Sequence, residues 1–159
     1  MDTKKLLGIQ SLFLFGGTIF AWSKLIPQFT NFQSQYGTLF RFHDLYIPNP
    51  LLTACLYGST AFLVALYWST LLYQNQTYVS ERRLRNFLLF CVAFAGSVVA
   101  YEAVAYYHLF DSSTTAFICT PGVHPLQTPC FYGMLFFIGA FITSIFSTRR
   151  LKSVPETII

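Results

Sequence analysis

The sequence PLLTACLYG at residues 50–58 returns as PLQTPCFYG at residues 125–133, with six identical positions in nine and an offset of 75. Three later residues recur at the same offset: Phe62, Ala65 and Ser69 match Phe137, Ala140 and Ser144. Proline as a helix starter and tyrosine as an interfacial anchor explain only two of the shared residue types. We therefore interpret the two segments as the beginnings of equivalent helices in an internally repeated structure.

The composition is that of a membrane protein. Of the 159 residues, 54% are hydrophobic and 10% are charged, and the mean hydropathy is +0.51. Crossing a hydrocarbon core of about 30 Å takes about 20 helical residues, and four apolar runs approach or exceed this length, at about 6–22, 51–73, 87–107 and 126–147. We predict an all-α, polytopic membrane protein with one four-helix transmembrane domain over residues 1–159. A cleavable signal peptide is the alternative for the first run.

The basic residues predict the orientation of these helices. Eight of the ten cluster at one set of helix ends, whereas only Lys24 and Arg41 lie between the first two helices. Positive charge favours the cytoplasmic side, so both termini are expected there, with loops 23–50 and 108–125 outside. Charges confined to helix ends do not form the continuous basic surface that nucleic acids require, which argues against a nucleic-acid partner.

The stretch after Pro27 predicts a further helix. Its apolar residues recur at three- and four-residue spacing between Phe29 and Phe40, which is typical of an amphipathic helix in the outer membrane interface. Such a segment either floats in the interface or covers a cavity between the transmembrane helices. The repeat itself predicts two hairpins related by an axis along the membrane normal.

Three cysteines on the outer side are the candidate reactive groups: Cys55, Cys119 and Cys130. One interpretation is a structural Cys119–Cys130 disulfide with Cys55 buried as a small apolar residue. The other is a thiol relay, in which two cysteines pair and the third attacks their disulfide. The outer histidines lack helical ligand spacing, so no metal site is predicted. Glu102 is a separate candidate, because it is a carboxylate inside a predicted span.

The chain resembles the vitamin K epoxide reductase family and, more loosely, DsbB-like proteins. The similarity includes the four helices, the outer segment leading through Pro48-Asn49-Pro50 to Tyr57-Gly58, the residues around Gly96 and Tyr101 in the third helix, and cysteines just before the fourth. It implies a quinone between the helix ends, for which Glu102, Tyr57 and Tyr132 are candidate contacts. Ten residues separate Cys119 from Cys130 where those families have Cys-x-x-Cys, so no catalytic assignment is carried over.

Two functions follow as expectations. The first is a quinone-linked thiol/disulfide oxidoreductase that acts on the extracytoplasmic side, with membrane lipids and a thiol protein as partners. The second is a non-catalytic membrane subunit, or a module binding lipid or pigment, in which a disulfide only staples the outer loop. The sequence leaves open which of the two is correct, and whether the chain is an enzyme.

Overall fold

The computed structural model describes residues 3–40, 49–75, 78–107 and 123–152. Nearly all of them are helical, in four α-helices and two 3₁₀ turns that directly precede the second and fourth helices. The α-helices are α1 (Thr3–Tyr36), α2 (Ala54–Asn75), α3 (Tyr78–Tyr106) and α4 (Pro129–Lys152), and the 3₁₀ turns are Pro50–Leu52 and Pro125–Gln127.

All four α-helices are long and apolar enough to cross a membrane. This confirms the prediction of an all-α transmembrane bundle. Around the bundle, α1 packs against α2 and α4, and α3 packs against the same two helices, so that α2 and α4 lie on one diagonal. We call the end that holds Cys55 and Cys130 the cysteine end, and the opposite end, where α1 and α3 begin and α4 ends, the arginine end.

The first helix differs from its prediction. α1 does not stop near residue 22 but continues through Pro27 to Tyr36, so the expected amphipathic segment is its last part and not a separate helix. Proline removes one backbone hydrogen bond, which transmembrane helices tolerate. Phe32 in this extension is fully buried and lies 4.8 Å from the Tyr36 ring, centroid to centroid. At about 1.5 Å per residue α1 is about 50 Å long, so part of it extends beyond the hydrocarbon core.

The third helix also begins earlier than predicted. α3 starts at Tyr78, nine residues before the expected start at residue 87, because the polar run between the hairpins is itself helical. Glu81 therefore belongs to a candidate membrane span and is fully buried. Two carboxyl groups, Glu81 and Glu102, are thus buried among the described residues of this helix.

The repeated sequence folds into the same turn twice. The Asn49 side chain accepts a hydrogen bond from the Leu51 N–H at 2.9 Å, and the His124 Nδ1 accepts one from the Leu126 N–H at 3.3 Å. In each turn a threonine hydroxyl then donates back to the carbonyl of the first proline, at 2.9 and 2.8 Å. These threonines end the turns with nearly equal backbone angles. The two copies of the repeated sequence thus adopt the same local structure and begin equivalent helices, as predicted.

Equivalent residues of α2 and α4 form three layers along the centre of the bundle. Each layer is seven residues from the next, which keeps all three on one side of a helix at intervals of about 10 Å. The pairs are Cys55 and Cys130, Phe62 and Phe137, and Ser69 and Ser144. The two phenyl rings stack with centroids 3.8 Å apart and planes within 5°, so the axis of the repeat passes between them.

Candidate functional site

Cys55 and Cys130 meet at the cysteine end. Their sulfur atoms are 3.9 Å apart, which is a non-bonded contact. A disulfide has a separation of about 2.05 Å, so the two thiols are in contact without being bonded. The sequence offers Cys130 two partners, Cys119 by proximity along the chain and Cys55 by the repeat. Among the described residues it contacts the repeat partner, while Cys119 lies outside them.

Both cysteines occupy the same position at a helix N-terminus. Each is the second residue of its helix, after Ala54 in α2 and after Pro129 in α4. The exposed N–H groups at a helix N-terminus stabilise negative charge, and the thiolate is the nucleophilic form of cysteine. The Thr128 hydroxyl caps α4 by accepting the Phe131 N–H at 3.4 Å. The duplicated turn therefore places two thiols side by side at two positive helix ends.

An apolar cavity of about 750 Å³ extends from this cysteine pair into the bundle. It opens between α2 and α3, with part of its wall supplied by α4. Its lining includes Cys55, Gly58, Phe62, Phe87, Phe90, Cys91, Phe94, Tyr101, Cys130, Met134 and Phe137. Towards the arginine end, α2 and α3 meet where Trp68 approaches Phe87, with 6.3 Å between the ring centroids. The cavity is thus an apolar cleft between α2 and α3 with a pair of thiols at one end.

This cleft exists because the repeat is packed unequally. The symmetry of two hairpins makes α2–α3 equivalent to α1–α4, yet α1–α4 is the more extensive interface. There, glycines let phenyl rings approach the facing helix: a Cβ added to Gly139 would lie 2.8 Å from Phe13, and one added to Gly16 would lie 3.2 Å from Phe136. On α2, a Cβ added to Gly58 would meet no atom within 4 Å. The cavity is the part of the α2–α3 interface that such contacts leave unfilled.

The three residues predicted to contact a quinone, Tyr57, Tyr132 and Glu102, do not lie together in the structure. Tyr57 lines the cavity, whereas its repeat partner Tyr132 packs on the other side of the bundle, 5.7 Å from the Phe20 ring. Glu102 is 4% exposed and is not among the cavity-lining residues, although the adjacent Tyr101 is. Tyr57 thus stays a candidate by position, while Tyr132 and Glu102 lie away from the cavity.

Two lining residues with a charged or reactive side chain, Lys24 and Cys91, were not predicted as site residues. Lys24 of α1 is the one charged residue among the described residues that line the cavity. Its ammonium nitrogen lies 5.9 Å from the Phe20 ring centroid, and its charge suits a thiolate or a reduced, anionic ligand. Cys91 of α3 lines the cavity further from the cysteine end. Its sequence signal is weak, since a lone cysteine in an apolar helix is most often a packing residue.

In the described ranges, no three His, Cys, Asp or Glu side chains come together in a group that could bind a metal ion. His43 and His108 lie outside those ranges, and His124 serves as the turn cap. Comparisons with protein-family models, with curated proteins and with solved structures found no match to this chain.

Proposed function

We propose that this protein is a membrane thiol oxidoreductase that transfers electrons from a protein dithiol to a quinone. The observation that carries the proposal is the contact between Cys55 and Cys130 on the wall of an apolar cavity. A structural cysteine needs no such cavity, and a site for lipid alone needs no pair of thiols.

The reaction balances with these groups. A thiolate of the substrate protein attacks the Cys55–Cys130 disulfide, and a second substrate thiol resolves the mixed disulfide, so that the substrate is oxidised and both cysteines are reduced. The two thiols then pass two electrons and two protons to the quinone, which leaves as hydroquinone while the disulfide forms again. Cys119 is positioned in the sequence to act as a relay thiol between the substrate and this pair.

The distribution of basic residues indicates on which side of the membrane the cysteine end lies. The arginine end carries eight of the ten basic residues, and such a bias favours the cytoplasmic side. We infer that both termini are cytoplasmic and that the cysteine end faces the extracytoplasmic side. Disulfides persist in that compartment, which agrees with a dithiol substrate there. Quinones are lipid-soluble, so the cleft between α2 and α3 gives them direct access from the bilayer.

The test is quinone reduction by the purified protein in lipid nanodiscs. The protein is reduced with a dithiol, freed of excess reductant and mixed with a short-chain ubiquinone or menaquinone analogue, and hydroquinone is followed by absorbance. We expect the wild type to form one hydroquinone per reduced Cys55–Cys130 pair, and we expect Cys55→Ser and Cys130→Ser to form none. Mass spectrometry of the alkylated protein should show a Cys55–Cys130 disulfide after the reaction.

The matched control is Cys91→Ser, which alters another cysteine on the same cavity wall. This variant should still reduce quinone to hydroquinone. If the double variant of Cys55 and Cys130 reduces quinone at the wild-type rate, the proposal is wrong. If the wild type binds quinone or lipid but never oxidises its thiols, the alternative of a non-catalytic binding module is the correct one.

A further inference from the structure

A second polar site lies at the arginine end, two layers away from the cysteines. Glu81 in the first turn of α3 is fully buried, and its Oε1 accepts a hydrogen bond from the Ser144 hydroxyl at 2.7 Å. Its other oxygen, Oε2, has no hydrogen-bond partner. A buried carboxyl group with one unsatisfied oxygen is costly in a bilayer, and such groups mark ion or proton sites.

Gln10 of α1 reaches this carboxyl group from across the bundle. It is fully buried and lies close enough to Glu81 to interact with it. Nevertheless, neither its Oε1 nor its Nε2 forms a hydrogen bond of good geometry. Ser147, one turn after Ser144 on α4, is likewise fully buried with an unpartnered hydroxyl. Three buried side chains from three helices therefore present unsatisfied polar atoms at this end.

The repeat indicates what is unusual here. Ser69, the partner of Ser144, makes the equivalent contact within its own hairpin, a 2.8 Å hydrogen bond to the Ser11 hydroxyl of α1. That neutral pair is complete by itself. In the second hairpin the equivalent serine, Ser144, contacts a carboxyl group of α3 instead of a hydroxyl group. The two hairpins therefore differ in the group that meets the repeated serine.

The donor set points to a hard, small cation. Glu81 Oε2, Gln10 Oε1 and the Ser147 hydroxyl are all oxygen atoms, the ligands that hard cations such as Na⁺ prefer, and the carboxylate can instead bind a proton. The charged group that acts on Glu81 is Arg85 of its own helix, while the side chains facing it from α1 and α4, Gln10 and Ser144, are uncharged. Arg85 attracts the carboxylate without forming a direct ion pair among the described side chains, which leaves Oε2 available.

We propose that Glu81, Gln10 and Ser147 form an enclosed binding site for one small monovalent cation, either Na⁺ or a proton. The site is independent of the thiol chemistry proposed above, because it shares no residue with the cavity and lies at the opposite end of the bundle.

The test is thermal unfolding of the purified full-length protein, followed by tryptophan fluorescence. Unfolding is measured in NaCl, KCl and choline chloride at constant ionic strength, at acidic and at alkaline pH. A Na⁺ site predicts a rise in the melting temperature in NaCl alone, because a ligand that binds only the folded state stabilises it. A proton site predicts equal melting temperatures in the three salts and a rise on acidification.

Three variants test whether the dependence of the melting temperature on Na⁺ or on pH arises from this site. Glu81→Gln should abolish it. Gln10→Leu retains the carboxyl group but removes its amide neighbour, so it should shift a Na⁺ response to higher Na⁺ concentration, or a proton response to higher pH, because an apolar neighbour favours the neutral carboxyl group. Glu102→Gln, the matched change at the other buried carboxyl group, should leave the response intact. The proposal is overturned if wild type and Glu81→Gln respond identically to salt and pH. It is equally overturned if Glu102→Gln, and not Glu81→Gln, removes the response.

Discussion

Single residues decide how closely these helices approach, and Gly17 is the clearest case. A Cβ added to Gly17 would lie 2.3 Å from the Phe62 ring. That ring is 1% exposed and stacked on Phe137, so it can make room for the methyl group only by leaving the stack and shifting towards the cavity that it lines. The centre of the bundle therefore depends on the absence of one methyl group from α1.

We expect Gly17→Ala to lower the free energy of unfolding by about 1–3 kcal/mol, the usual cost of overpacking a core. Gly8→Ala on the same helix is the control. Its added Cβ would have its nearest neighbour at 4.0 Å, so the higher helix propensity of alanine should leave stability unchanged or increase it by up to about 1 kcal/mol. Unfolding in mixed micelles with increasing denaturing detergent measures both, and equal stabilities would contradict the explanation.

The turns before α2 and α4 are the elements that place the two cysteines. Each turn satisfies its own backbone groups, so the helix that follows begins at a defined residue. Asn49 also donates from Nδ2 to the Leu39 carbonyl at 2.9 Å, which ties the residues that follow α1 to the turn. His124 caps the second turn with a ring nitrogen instead of an amide.

This equivalence predicts that His124→Asn is tolerated and His124→Ala is not. Asparagine makes the same cap in the first turn, whereas alanine leaves the Leu126 N–H without its acceptor and should cost about 1 kcal/mol. Stability is measured by unfolding, and the position of α4 is measured by how rapidly an oxidant forms the Cys55–Cys130 crosslink. Slower crosslinking in His124→Asn than in His124→Ala would show that the two caps are not equivalent.

At the scale of the whole molecule, the structure is a repeat with one interface left open. The α1–α4 side is closed by phenyl rings against glycines, and the α2–α3 side retains the cavity. An unfilled cleft in an otherwise close-packed bundle has a cost in lost contacts, which a bound ligand would offset.

Filling the cleft should therefore separate stability from activity. Gly58→Leu places a side chain where no atom lies within 4 Å of the added Cβ, so we expect unchanged or increased stability together with loss of quinone reduction. Val64→Leu is the control, because Val64 is on the same helix, 51% exposed and outside the cavity lining. The melting temperature and the rate of quinone reduction are measured for both. Full activity in Gly58→Leu would place the quinone elsewhere.

Much of this architecture could be predicted from the sequence, because it depends on local patterns. Twenty-residue apolar runs indicate the helices, and the repeated Pro, Thr and Cys indicate the two turns and the possible pairing of Cys55 with Cys130. The extension of α1 past Pro27 was not predictable, since a proline marks a helix end as often as it is tolerated within a helix. The cleft and the burial of Glu81 depend on side-chain shape across helices, for example Phe62 against Gly17, and a single sequence carries no signal for such contacts.

The stacked pair of Phe62 and Phe137 has one more consequence. The two rings are 1% and 3% exposed and lie between the cysteine layer and the serine layer. Along the α2–α4 diagonal, the thiols are therefore separated from the serine layer by an apolar ring pair. The same two side chains form part of the cavity wall, so the chemistry of the cysteine end and the polar groups of the arginine end share one apolar boundary.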